Sequence, residues 1–255
     1  MKTVKISALV LAMAGVFVTS ANAQSAKKNA WEGFYGQASV GFASFSPQLS
    51  GTTLAPIAPY APYYSSAPTG PISVSTSTNT LNTATNAIGA GYNFGINESY
   101  ILGLGANYTL GASSAGSGSF TLTAPGNPAA PVNTTGGPIN ATKPISYQLK
   151  NIWSVAAYPG YVIDKDRLAY AKIGYTGMTI GINSASAPYQ TTNLSGYVLG
   201  LGYKQMITQS LYLLGEVNYA GISTKAGTLT SSYGTFSSNI GGSGYDLLVG
   251  VGYRF

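Results

Sequence analysis

The stretch that decides the fold is Leu247-Leu248-Val249-Gly250-Val251-Gly252-Tyr253-Arg254-Phe255, at the end of the chain. Apolar or aromatic residues occupy every second position from Leu247 to Phe255, while glycine and arginine fill most positions between them. A period of two predicts a β-strand whose two faces meet different surroundings. An apolar outer face and a polar inner face are typical of a closed barrel in a lipid bilayer.

The composition supports strands in lipid rather than a water-covered globule. Charged residues make up 7% of the chain, against roughly 25% in ordinary globular domains. The 20 tyrosines and 33 glycines lie largely in segments of period two, which disfavours disorder. The lysines are scattered rather than clustered, so the sequence predicts no nucleic-acid surface.

The N-terminus predicts export. A basic start, Met1–Lys5, precedes an uncharged and mostly apolar stretch, Ile6–Val18, that is too short to span a bilayer as a helix. A small-x-small motif ends at Ala23. We predict a signal peptide over residues 1–23 that is cleaved after Ala23, and favour it over a retained anchor helix. A short periplasmic segment, 24–30, and a barrel, 31–255, would then remain.

Eight segments have the period of strands, and aromatic residues recur near both of their ends, as in interfacial girdles. These segments are 31–45, 85–96, 100–110, 146–162, 168–182, 194–207, 211–222 and the terminal strand. In the fourth segment, Leu149, Trp153 and Val155 are predicted to face outward. The sequence therefore predicts an all-β fold: an eight-stranded antiparallel up-and-down transmembrane β-barrel.

The connections alternate in length, which predicts short periplasmic turns and long extracellular loops. Short turns are expected at 95–99, 164–167 and 208–210. Long links are expected at 46–84, 112–145, 183–193 and 223–241. A hairpin within the first link would add two strands, but four prolines there argue against it: Pro56, Pro59, Pro62 and Pro68.

Three short motifs resemble the small eight-stranded outer-membrane barrels of Gram-negative bacteria, which include the OmpA transmembrane domain and the Opa-type surface proteins. The motifs are Trp31-Glu32-Gly33-Phe34-Tyr35-Gly36, Tyr170-Ala171-Lys172-Ile173-Gly174-Tyr175 and Gly252-Tyr253-Arg254-Phe255. The resemblance covers about 31–255 and implies a bacterial outer-membrane location. OmpA-type proteins often carry a periplasmic peptidoglycan-binding domain, whereas this chain ends at the barrel, so cell-wall anchoring is not expected.

The resemblance also implies partners for assembly. Tyr253 and Phe255 resemble the C-terminal signal of such barrels, which implies contact with periplasmic chaperones and with the barrel-insertion machinery. Outer-membrane lipid and lipopolysaccharide are the other expected partners, and we expect a monomer.

Strand alternation places six charged residues on the inward face: Lys150, Lys172, Lys204, Glu216, Asp246 and Arg254. Buried charges must pair, and the interior of an eight-stranded barrel is just wide enough for side chains to fill. We hypothesise a salt-bridge network that plugs or gates the lumen. The alternative, which we favour, is that these charges pair only to stabilise the barrel.

Catalysis is disfavoured because the chain has no histidine. Barrel enzymes of the outer membrane resemble one another in using a histidine near serine or aspartate, and a serine nucleophile needs an activating base.

Without histidine or cysteine we predict no metal site and no cofactor, and Asp164 and Asp166 suit a hairpin turn rather than a calcium loop. Glycine pairs such as Gly200-x-Gly202 lack a nucleotide-binding context, and should line the lumen beside larger residues.

Three functions follow from this interpretation. The first is a structural and surface-exposed role, with the lumen plugged by side chains. The alternative is a narrow porin-like channel for ions or small solutes, as the porin label of some relatives implies. A third is adhesion through the Pro- and Tyr-rich first link. Lumen width separates the first two, since eight strands leave little room for a wide aqueous channel.

Overall fold

The computed structural model describes residues 29–56, 73–111, 113–124, 139–184, 187–231 and 234–255. Ten strands lie within these ranges: β1 (Gly33–Pro56), β2 (Ser73–Thr78), β3 (Leu81–Gly95), β4 (Tyr100–Thr109), β5 (Gly116–Ala124), β6 (Ile139–Asp164), β7 (Arg167–Ser184), β8 (Ala187–Met206), β9 (Leu211–Ser231) and β10 (Gly234–Arg254). No helix in these ranges is long and apolar enough to cross a membrane. The predicted signal peptide, with its cleavage after Ala23, lies outside the described residues, as does most of segment 24–30.

Antiparallel pairing closes the described strands into a ring, which confirms the predicted all-β barrel. The ring order is β1–β3–β4–β6–β7–β8–β9–β10, and β10 pairs again with β1. The ring therefore passes through eight of the ten strands of the described ranges. β5 pairs with the first residues of β6, and β2 pairs with β5. β2 and β5 thus continue the wall above β3 and β4.

Much of the sequence predicted as long loops is strand, so the expectation of long extracellular loops is wrong for these stretches. β1 runs to Pro56, while β2 and β5 lie inside the first two predicted links. In the third and fourth links, strands reach Ser184 and Ser231 and resume at Ala187 and Gly234. A sequence rich in serine and threonine predicts a loop. Threonine nevertheless favours strands, and the part of the barrel wall that lies outside the lipid needs no apolar outer face.

The extended wall has an apolar interior of its own. Phe120, Leu122, Ile145 and Phe236 form a buried cluster there, with the rings of Phe120 and Phe236 5.0 Å apart. β1 alone has 24 residues. At roughly 3.3 Å per residue and a tilt near 40°, it spans about 60 Å, against an apolar band of about 25 Å. The wall therefore rises well beyond the band. We call this rising part the rim; it includes β2, β5 and the loop-end parts of β1, β6 and β10.

Three short turns, 96–99, 165–166 and 207–210, lie at one end of the barrel, as predicted. We call this the turn end, and the opposite end the loop end. In the second turn, the Arg167 guanidinium donates to Asp164 Oδ2 at 2.7 Å, and the Asp166 amide donates to Asp164 Oδ1 at 2.9 Å. These bonds hold the pKa of Asp164 below its ordinary value.

The Arg167→Gln variant is expected to raise the pKa of Asp164 toward the ordinary aspartate value. The hydrogen bond from the guanidinium is the largest cause of the lowered pKa, and glutamine brings no charge to replace it. A carbon-13 NMR titration of the Asp164 carboxyl group measures the shift. An unchanged titration midpoint would mean that the backbone amides alone set this pKa.

The outer face of the barrel carries the predicted apolar band. Exposed apolar side chains alternate along the strands: Val40, Leu102, Leu104, Val155, Ile173, Leu199, Leu201, Leu213, Val217, Leu247 and Val249. Exposed aromatic side chains border the band at the turn end: Phe94, Tyr100, Tyr161, Tyr203, Tyr253 and Phe255. A second set borders it toward the loop end: Phe42, Trp153, Tyr175, Tyr197, Tyr219 and Tyr245. Two aromatic girdles around an apolar band are typical of a barrel in lipid.

A β-bulge in β6 interrupts this alternation. Asn151 has a φ of 51°. On its two sides the β6–β7 register changes from Lys150↔Thr179 to Trp153↔Gly177, so β6 carries one residue more than β7 there. An extra residue on one strand exchanges the inner and outer faces beyond it.

The prediction that Leu149 faces outward is therefore wrong. Its side chain is 4% exposed and packs inside the barrel, whereas Trp153 and Val155, on the other side of the bulge, are exposed as predicted. Lys150, next to Leu149, takes the outer face instead of the lumen.

Candidate functional site

The middle of the lumen contains a buried ion pair. Lys172 of β7 and Glu216 of β9 meet with 2.9 Å between Nζ and Oε1, and their side chains are 5% and 4% exposed. The Tyr170 hydroxyl donates to the other carboxylate oxygen, Oε2, at 2.7 Å. Alternation on β7 places Tyr170 and Lys172 on the same inward face. Two charge-assisted hydrogen bonds thus compensate the carboxylate for the water it has lost.

Asn218 extends the network to a second carboxylate. Its amide nitrogen donates to Glu216 Oε1 and to Asp246 Oδ1, each at 2.8 Å. Its Oδ1 lies against Gly200 of the neighbouring strand and has no hydrogen-bond partner among the described residues. Asn218 is therefore the bridge between the two acidic side chains of the lumen.

Lys204 is surrounded by aromatic rings. Its Nζ lies 4.2 Å from the ring centroid of Tyr35, 4.8 Å from that of Tyr212 and 5.2 Å from that of Tyr170. The same nitrogen is 3.5 Å from the Tyr212 hydroxyl. Cations are attracted to aromatic faces at such distances, and more strongly where water is excluded. We call these three residues the tyrosine cage.

Glycines make room for the tyrosine cage. Each cage tyrosine lies opposite a glycine on a neighbouring strand, in the pairs Tyr170↔Gly202 and Tyr212↔Gly252, and likewise Tyr35↔Gly91. A Cβ atom at any of these glycines would overlap the facing side chain. This arrangement agrees with the expectation that glycine pairs line the lumen beside larger residues.

Trp31 closes the turn end of the lumen. Its side chain is 1% exposed, and its ring meets Tyr212 edge-on at 5.8 Å. Asn29 Oδ1 accepts from the Trp31 amide at 2.9 Å, and Asn93 Nδ2 donates to the Trp31 carbonyl at 3.0 Å. The residues just before β1 are thereby folded under the barrel, although the sequence predicted Trp31 as the start of a strand.

The six predicted lumen charges have different positions. Lys172, Glu216 and Asp246 meet in one network, and Lys204 is linked to it through the ring of Tyr170. The placement of Lys150 in the lumen is wrong, because the bulge turns it outward to donate to the Tyr189 hydroxyl at 3.0 Å. Arg254 is not part of the network either. Its guanidinium donates to the Gln209 carbonyl in a short turn at 2.7 Å.

The sequence interpretation missed the residues that complete the site. Alternation predicts the inward position of Tyr170 and Tyr212, but it does not reveal that their rings surround a cation. Asn29 and Trp31 carried no periodic signal, because they precede the first strand. Tyr253 and Phe255 are exposed on the outer face with their rings 5.0 Å apart, and their role as an assembly signal stays a prediction.

A cavity of about 130 Å³ beside the network is lined partly by Ser39, Asn107, Thr176 and Asp246. Among the described residues, no group of three or more histidine, cysteine, aspartate or glutamate side chains could hold a metal ion. The lumen contacts described above are one ion pair, several hydrogen bonds and cation–aromatic contacts between side chains of the wall.

Comparisons with known proteins concern the fold. The family described as outer membrane protein beta-barrel domain matches residues 9–255. No curated protein matches the chain in sequence. The structure is similar to the outer membrane protein OprG from Pseudomonas aeruginosa, with 11% identity, a TM-score of 0.51, and coverage of 90% of this chain and 99% of that chain.

Two further solved structures are similar at lower scores. The outer membrane protease OmpT from Escherichia coli has 10% identity and a TM-score of 0.48, over 88% of this chain and 97% of that chain. The attachment invasion locus protein Ail of Yersinia pestis has 14% identity and a TM-score of 0.42, over 88% and 99%. At 11% identity, the likeness to OprG shows a shared fold and no more.

Proposed function

Because the chain belongs to the outer membrane protein β-barrel domain family, we propose that it is a closed-lumen barrel of the bacterial outer membrane with a structural and surface-exposed role. The family gives the location and the fold. The observation that carries the proposed role is a buried apolar cluster on either side of the polar middle of the lumen.

Three layers of side chains occupy the lumen. At the turn end, a buried apolar cluster includes Trp31, Ile101, Tyr158, Leu168 and Tyr212. The network around Glu216 lies in the middle. Toward the loop end, a second buried cluster is made of Phe45, Leu81, Tyr147, Leu149, Met178, Ile180, Leu194, Ile222 and Ile240. An ion would have to cross two layers of buried apolar side chains to pass, which supports the closed lumen over the porin-like channel.

The polar middle layer supports a stabilising role for the charges. Lys172 and Glu216 are paired at hydrogen-bond distance, and the carboxylate accepts from Tyr170 and Asn218 as well. A buried charge held in this way contributes to the fold and resists movement. We therefore favour stabilisation over gating as the role of the network.

Catalysis is not part of the proposal. The chain has no histidine and no cysteine, so a histidine-activated serine and a cysteine nucleophile are both impossible. The ionisable groups of the lumen are held in ion pairs and hydrogen bonds or among aromatic rings. The adhesin role is not proposed either, since the Pro- and Tyr-rich part of the first link falls at 57–72, outside the described residues.

The partners proposed are those of a resident outer-membrane barrel. They are outer-membrane lipid and lipopolysaccharide around the apolar band, with chaperones and the insertion machinery acting on Tyr253 and Phe255 during assembly. The short turns would face the periplasm and the rim would face outward, as in barrels of this kind. We propose a monomer.

The mature protein is expected to be electrically silent in a planar lipid bilayer. Both apolar layers lie across the path of an ion, so no stable conductance steps should appear in single-channel recordings. Folding is checked by the difference in gel mobility between boiled and unboiled samples, and insertion by co-flotation with lipid vesicles. Reproducible steps from protein that passes both checks would favour the porin-like channel, with Lys172 and Glu216 as selectivity candidates.

A further inference from the structure

The rim is built from two separate sheets. Sheet A contains β2, β5 and the loop-end parts of β6, β7 and β8, and sheet B contains the loop-end parts of β9, β10 and β1. β1 pairs with β3 only as far as Phe45, and among the described residues no backbone pairing joins β1 to β2. The pairing of β8 with β9 ends at Gly196↔Ile222. Two seams, β1/β2 and β8/β9, therefore separate the sheets.

Side-chain hydrogen bonds connect the two sheets across these seams. At the β1/β2 seam, Thr78 Oγ1 donates to the Pro47 carbonyl at 2.9 Å. At the β8/β9 seam, Lys225 Nζ donates to the Asn193 carbonyl at 3.1 Å. The sheets can therefore move apart without the loss of a backbone ladder, which a continuous barrel wall does not allow.

An apolar layer lies between the two sheets. Phe120 of sheet A and Phe236 of sheet B are buried, and their ring centroids are 5.0 Å apart. Leu122 and Ile145 of sheet A belong to the same buried cluster. The inner faces of the two sheets thus meet through apolar side chains, as in a small sandwich.

A cavity of about 70 Å³ lies beside the contact between Phe120 and Phe236. No charged side chain lines it in the part of the chain that the structure describes. Two of its hydroxyl groups, those of Thr52 and Ser238, are hydrogen bonded to each other at 3.0 Å. Such a cavity favours an uncharged and mainly apolar occupant. Its apolar lining comes from both sheets: Leu49, Phe120, Ile145, Ile182, Phe236 and Ile240.

The size of the cavity connects binding to the seams. An apolar cavity of about 150 Å³ holds a benzene ring, so the closed cavity of about 70 Å³ is too small for one. A ring can enter once sheets A and B move apart. It would then contact the rings of Phe120 and Phe236, and aromatic rings favour such edge or offset contacts.

We propose that the rim binds an uncharged, ring-sized apolar molecule between sheets A and B, in contact with Phe120, Phe236 and the isoleucines of the cavity. The sheets separate at the seams to admit the molecule and close on it. This site goes beyond the proposed structural role, and a measurement of conductance does not decide it.

The test uses benzene as the probe and the folded mature protein in lipid nanodiscs, with carbon-13 in the δ1 methyl groups of isoleucine. NMR should show saturable shifts of the methyl groups of Ile145, Ile182 and Ile240 as benzene is added. Ile173, exposed in the apolar band, reports benzene dissolved in the lipid and should shift linearly. Linear shifts at all four methyl groups would overturn the site.

Two neighbouring residues of β8 test the location. Thr192 lines the cavity, whereas Thr191 is exposed on the outer face. Thr192→Phe should fill the cavity and weaken benzene binding by about 10-fold or more. Thr191→Phe is the matched control and should bind like the parent protein, and gel mobility of unheated samples verifies that both variants are folded. Equal benzene affinity of the two folded variants would contradict the proposal.

A disulfide tests whether the sheets must separate. Thr192 faces Gly227 across the β8/β9 seam, where a Cβ atom at Gly227 would lie 3.7 Å from Thr192 Oγ1. This spacing suits a disulfide, and the chain has no other cysteine. The oxidised Thr192→Cys/Gly227→Cys variant should lose the saturable shifts, and reduction should restore them. Equal benzene affinity of the oxidised and reduced forms would overturn the opening of the seams.

Discussion

Replacement of Glu216 by glutamine is expected to lower the free energy of unfolding by about 3–5 kcal/mol. The substitution leaves the Lys172 ammonium buried without the carboxylate that lies 2.9 Å from it. It also weakens the hydrogen bond from Tyr170, because the hydroxyl donates to a charged oxygen in the parent protein and to a neutral amide in the variant. Breaking a buried pair on one side costs far more than the pair itself contributes, since the remaining charge stays desolvated.

Urea unfolding of the protein in lipid vesicles, followed by tryptophan fluorescence and by gel mobility, measures this loss. Glu98→Gln, in the first short turn, is the matched control and should change the free energy by less than about 0.5 kcal/mol. The Lys172→Met/Glu216→Gln double variant should recover most of the loss, because it removes the orphaned charge. A double variant no more stable than Glu216→Gln would show that the hydrogen bonds of the carboxylate matter more than its charge.

The same Glu216→Gln protein separates stabilisation from gating. If the network only stabilises the barrel, the variant should be less stable and still silent in a planar bilayer. Conductance that appears in a variant shown to be folded would instead favour a gate at Glu216.

Replacement of Trp31 by alanine is expected to cost about 3–5 kcal/mol, the range for truncating a buried tryptophan. Trp31 fills the turn end of the lumen and packs its ring against Tyr212, so alanine leaves a cavity that the rigid wall cannot close. The polar groups that hold the segment under the barrel, Asn29 and Asn93, would also lose the anchor that positions them.

The second tryptophan of the chain is the matched control. Trp153 lies on the outer face and is partly exposed, so Trp153→Ala should lose less stability than Trp31→Ala. Each variant keeps one tryptophan, and the two unfolding curves therefore report on the turn end and on the outer wall separately. Equal losses in the two variants would mean that Trp31 does not act as a plug.

The closed barrel could be predicted from the sequence because apolar residues at every second position indicate which side chains face lipid and which face the lumen. The strand predicted at 100–110 is found at Tyr100–Thr109, and the three short turns lie where short connections between the predicted strands placed them. The pairing of Lys172 with Glu216 also follows from inward alternation together with the cost of burying a single charge.

The rest of the site depends on features that alternation does not contain. A single extra residue at Asn151 reverses the faces of β6 beyond it, and the sequence there has no glycine or proline to mark the bulge. The strands of the rim could not be predicted because their outer face lies in water. Serine and threonine there replace the apolar residues that would mark every second position. Trp31 folds under the barrel through hydrogen bonds of Asn29, which a search for periodicity cannot detect.

The rim, which we propose faces outward, has a consequence for molecules that approach the cell from outside. Its strands are tied to one another by ladder hydrogen bonds and filled by Phe120 and Phe236, so the outward surface of these residues is preorganised. A ligand that docks on a preorganised surface does not pay to order a flexible chain. Antibodies and phage receptor-binding proteins that recognise the rim should therefore bind conformational epitopes made of neighbouring strands. Linear peptides copied from the same sequence would fail to reproduce these epitopes.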